Sequence, residues 1–107
     1  MTRERMTRQK VEALIARLNA ATGSAAEPWT KNPDGTYRAN PGNFHLEGAY
    51  GGHKLGRMAT PSGGSSDPLN TGYVSWRELY DAIDNYMRAI EDVQRGRITV
   101  KVYKVSK

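Results

Sequence analysis

The chain has 107 residues, a formal net charge of +5 and no cysteine. That is the length of a single domain spanning 1–107, burying roughly 60 to 65% of its unfolded surface in a small core. Disulfides, thiolate metal sites and a cysteine nucleophile are excluded, and no run approaches the roughly 20 apolar residues of a membrane helix.

Residues 1–10 are charged with no apolar run behind them, which does not read as a secretory signal. The expectation is a soluble cytoplasmic protein with no membrane partner. Val11, Leu14, Ile15 and Leu18 then recur on one face of a 3.6-residue period and predict a helix over about 7–21. Thr7 suits its N-cap, Met6 and Val11 suit a hydrophobic staple, and Gly23 suits a left-handed stop.

Residues 28–59 read as strands and tight turns. Pro33, Asp34 and Gly35 mark a turn between 29–31 and 36–38, and Asn40, Pro41 and Gly42 mark a second. Phe44 and Leu46 alternate with His45 and Glu47, the pattern of a strand with one buried face. Tyr50, Gly51 and Gly52 turn the chain, and 53–59 returns. Leu55 and Met58 break the alternation, which predicts a bulge at Gly56. Trp29, Tyr37, Trp76 and Tyr80 are expected in or beside the core, whereas Tyr50, beside two glycines at a turn, is the aromatic expected to be exposed.

Residues 60–71 are rich in Gly, Ser, Pro and Asp with almost nothing to bury, and predict a long flexible loop, either a plain linker or a mobile binding element beside the hairpin tip. Ser75 and Glu78 then form a capping-box pattern with Val74 and Leu79 as staple. Trp76, Leu79, Tyr80, Ile83, Met87, Ile90 and Val93 make one apolar stripe. This predicts a second helix over 75–95, closed by Gly96. Ile98, Val100 and Val102 alternate with polar residues, predicting a basic terminal strand within 97–107, and its lysines suit an edge. The order α-β-β-β-α-β implies an α+β fold: an antiparallel sheet of three to four strands with two helices on one face.

Charge is segregated. Residues 28–60 carry four bases and two acids, residues 61–95 three bases and six acids, and residues 96–107 four bases and no acid. The hairpin turn gathers Tyr50, His53, Lys54 and Arg57, an aromatic, an imidazole and two cations suited to a binding surface. The tail adds Lys101, Lys104 and Lys107 as further basic contacts.

Several chemistries fit poorly. His45 and His53 flank the turn with Glu47 as a conceivable third ligand, but two imidazoles make a poor zinc site, and no metal or cofactor is expected. Residues 48–51 match GxxG, yet the nucleic-acid clamp of that pattern joins two helices, whereas this one sits inside a strand pair. The lysine that follows lacks the P-loop spacing. A double-stranded RNA-binding domain places lysines at the start of its second helix; here Ser75, Trp76, Arg77 and Glu78 are followed by Asp81 and Asp84. The serines of 63–67 have no neighbouring base, and Asp81 and Asp84 read as a solvated margin. The expectation is a protein without catalytic residues.

Residues 17–23, Glu27 with Pro28, Trp29 and Thr30, then 39–40, 42–46, 48–52, Leu55, Arg57 with Met58, and 77–80 resemble a group of small uncharacterised proteins of tailed bacteriophages and prophages of Gram-negative bacteria. The likeness covers roughly 11–92 and is densest at the hairpin; the basic tail looks like an extension. It implies a small phage accessory protein made in a bacterial cytoplasm. The expected function is docking on a host or phage protein complex, such as a defence or transcription assembly, to modulate or inhibit it. The alternative is nucleic-acid binding by the basic hairpin and tail. Strand 97–105 would allow a homodimer by edge pairing.

Overall fold

The structure, a computed structural model of the chain, describes residues 5–99. Helix α1 (Arg8–Thr22) leads into β1 (Trp29–Lys31), β2 (Tyr37–Ala39), β3 (Phe44–Ala49), β4 (Gly52–Met58) and β5 (Ser65–Ser66), and α2 (Trp76–Gln94) follows. This is an α+β fold in which all strand pairing is antiparallel.

Local chemistry sets both helices. The Thr7 hydroxyl accepts the Lys10 N–H, and the Ser75 hydroxyl accepts the Glu78 N–H. Each helix ends on a left-handed glycine. Gly23 donates to Ala20 and Ser24 to Asn19; Gly96 donates to Val93 and Arg97 to Asp92. Both are the paired hydrogen bonds of a Schellman ending. Arg97 and Ile98, which both donate to the Asp92 carbonyl, therefore belong to the helix cap. The rest of the predicted terminal strand, with Lys101, Lys104, Lys107 and the dimer pairing, lies outside the described residues.

The strands form two sheets, a two-stranded ribbon β1-β2 and a three-stranded sheet with β4 in the middle. The register from Phe44↔Arg57 to Ala49↔Gly52 is unbroken, so Gly56 is not a bulge. Its missing side chain has another cause. A Cβ there would overlap the Glu47 carboxylate and the His45 Nε2, which cross over it from β3. On the far edge of β4, Ser65 and Ser66 pair with Met58 and Arg57, and Val74 bridges His53.

Both helices cover one face of this sheet. Val11, Leu14, Ile15 and Leu18 of α1 meet Leu79, Ile83 and Met87 of α2 over Phe44 and Leu55. Each fully buried side chain of this size contributes about 1.5–3 kcal/mol. Asn19, itself buried, ties helix to sheet: its side-chain amide donates to the Phe44 carbonyl (2.9 Å) and accepts the Phe44 N–H (2.8 Å).

Two expectations of burial are corrected. Trp29 and Tyr37 are 44% and 63% exposed, because only two short strands carry them and no helix lies on the ribbon's outer face near Tyr37. Residues 60–71, expected to bury almost nothing, hold β5 and place Leu69 against the core. Their backbone is tied by Ala59 N–H to Gly64 O, Gly63 N–H to Thr60 O, and Gly72 N–H to the Asp67 carboxylate.

Candidate functional site

The β3–β4 arm ends in a two-residue turn. Tyr50 and Gly51 both have positive φ, 54° and 73°. This is the type I′ geometry that matches the twist of a hairpin, and its first position normally goes to Asn, Asp or Gly. Tyrosine there costs about 1–2 kcal/mol of backbone strain. The side chain that carries this cost is 96% exposed.

Strand alternation sorts the four residues read from the sequence. His53 faces the helices, where its ring stacks on Trp76 with centroids 3.3 Å apart and planes 9° apart. Lys54 faces outward, and its Nζ lies 4.8 Å from the centre of the Tyr73 ring. Tyr50 meets that same ring edge-on at 5.7 Å. Tyr73 reaches this place because Val74 pairs with His53, and because Gly52 has no Cβ: one would stand 2.9 Å from the Tyr73 carbonyl carbon.

Arg57 is not part of this group. It stands at the root of the arm opposite Phe44, about 10 Å along the strand from Lys54. Its guanidinium lies 4.8 Å from the Phe44 ring centre and its Nε donates to the Gly42 carbonyl at 3.4 Å. The site is therefore Tyr50, Lys54 and Tyr73 on one face, with His53 and Trp76 behind it. Tyr73 escaped the sequence reading, since its placement depends on a strand bridge made by its neighbour. The Tyr73-Val74 pair just before the Ser75 cap was its only local mark.

The histidines separate. His45 lies on the outer face beside Glu47, with Nε2 3.9 Å from Oε1, while His53 lies on the inner face. Ser65 Oγ donates to the same Glu47 oxygen at 3.2 Å. His45 Nδ1 and Glu47 Oε2 are buried without a partner. Among the described residues no cluster of three or more His, Cys, Asp or Glu is placed to hold a metal ion. Asp81 is exposed, and Asp84 pairs with Arg88 at 3.1 Å, a solvated helix margin. A cleft of about 420 Å³ lies between α1 and β3, and the Arg8–Glu12 ion pair (2.8 Å) is part of its lining.

Among the described residues no helix is long and apolar enough to cross a membrane. No protein-family model matches the chain, and no curated protein or solved structure was found to be similar to it.

Proposed function

We propose that this chain is a small non-enzymatic binding protein that docks on a protein complex through the Tyr50–Tyr73–Lys54 face of the hairpin tip. The observation that carries the reading is Tyr50: a large aromatic, almost fully exposed, held in a left-handed conformation that a smaller residue would adopt at lower cost. Strain retained at an exposed aromatic points to a use for that side chain. Tyrosines with a neighbouring cation are the chemistry of interface anchors. Tyr73 supports Tyr50 from one side, so less side-chain freedom is lost on docking.

The setting we propose is that of a small phage-type accessory protein. The partner would be a host complex, for example a defence or transcription assembly, whose activity docking modulates or inhibits.

The test is nuclease-treated affinity capture from a bacterial host lysate, followed by calorimetry with the purified partner. The captured protein should bind the wild type directly. Tyr50→Ala and Lys54→Ala should each weaken it, Tyr50→Ala by about 30-fold, the effect of a 2 kcal/mol hot spot. Unchanged affinity in both variants sinks the reading, as does loss of the folded circular-dichroism spectrum. Capture that disappears on nuclease treatment favours nucleic acid.

A further inference from the structure

The β1-β2 ribbon presents a second surface, away from the hairpin tip. Trp29 and Lys31 are two apart on β1, and Lys31 pairs directly with Tyr37 on β2. Alternation therefore places Trp29, Lys31 and Tyr37 on one face. All three are exposed. Trp29 and Tyr37 stand diagonally across the ribbon, about 7–8 Å apart at the backbone, with Lys31 at the corner beside both and the buried Ala39 at the opposite corner.

Trp29 is braced. Its ring tip packs on Gly63, where φ is +104° and a Cβ would lie 2.6 Å from the ring. The 60–64 turn that carries this glycine is closed by its own hydrogen bonds and is tied to β2 through Ala39 N–H to Pro61 O. The loop thus holds an indole in place while leaving 44% of the residue in solvent. The ribbon's single acidic residue, Asp34, is already engaged. Its carboxylate accepts the Thr36 hydroxyl (2.6 Å) and N–H (2.9 Å), and these bonds hold its pKa below the ordinary carboxylate value. Lys31 has no carboxylate partner among the described residues.

We propose that this face binds single-stranded nucleic acid, taking one dinucleotide step: two bases stack on Trp29 and Tyr37, and the phosphate between them sits on Lys31 Nζ. Two rings that share one neighbouring cation offer stacking to two bases and a charge to the phosphate that links them. Stacking accepts any base, so the surface reads strandedness and not sequence. A duplex, with its bases paired and stacked on each other, cannot offer both rings a partner.

The test is fluorescence anisotropy of a labelled oligothymidylate titrated with the full chain at low salt, alongside the same strand annealed to its complement. The wild type should bind the single strand and prefer it to the duplex. Trp29→Ala and Tyr37→Ala should each weaken binding by between about 5-fold and about 150-fold, and Trp29→Phe should restore most of it. Lys31→Gln should lower the slope of log affinity against log salt by about 0.7. Tyr50→Ala at the hairpin tip should bind the oligonucleotide like the wild type, which separates this surface from the protein-docking one. Wild-type affinity in Tyr37→Ala and Trp29→Ala, equal affinity for the duplex, or no binding at low salt overturns the proposal.

Discussion

At the scale of single residues, the backbone of Tyr50 makes a trade between stability and use. A type I′ turn prefers asparagine where this chain has tyrosine. Tyr50→Asn should therefore raise stability by about 1 kcal/mol, seen as a melting temperature higher by about 4–8 °C, while partner affinity falls. A melt and a binding isotherm on one preparation check both halves. Exposure of Tyr50 was legible because two glycines follow it. The exposure of Trp29 and Tyr37 was not, since an aromatic in a strand is buried by default and only tertiary context shows that no helix covers the ribbon's outer end.

Among the elements, the hairpin arm holds two glycines that the sequence does not distinguish. At Gly56 an added methyl meets the ends of the His45 and Glu47 side chains, which are partly exposed and able to swing aside. At Gly52 it meets the backbone of Tyr73, which Val74 pins to His53. Gly52→Ala should cost more, about 2–3 kcal/mol against about 1 kcal/mol for Gly56→Ala. Chemical denaturation of both variants checks the order, and an equal loss would contradict it. Both helices were legible to within a residue or two because caps and apolar stripes are local signals. The bulge expected at Gly56 was a misreading, because crossing side chains from another strand leave no mark in local alternation. The ties of residues 60–71 to β4 and Trp29 are equally non-local.

For the whole molecule, Asn19 is, among the described residues, the one polar side chain that joins a helix to the sheet inside the core. Asn19→Ala would leave the Phe44 N–H and carbonyl buried without partners and should cost about 2–4 kcal/mol. The urea midpoint should fall with little change in its slope. Asn19→Asp would set a buried carboxylate against the Phe44 carbonyl and should cost at least as much as Asn19→Ala. Nothing in the sequence marks Asn19 out from any other polar residue near a helix end, since its partner lies 25 positions away.

The same amide bears on solubility. β3 is an outer strand without a lysine or proline to discourage a foreign chain from adding to it. At its most apolar point, Phe44, both main-chain groups are already occupied by Asn19. A second molecule trying to extend the sheet finds no place to start there and must begin nearer the tip, beside the Glu47 carboxylate. One side chain thus occupies the main-chain groups through which a second strand would pair at Phe44.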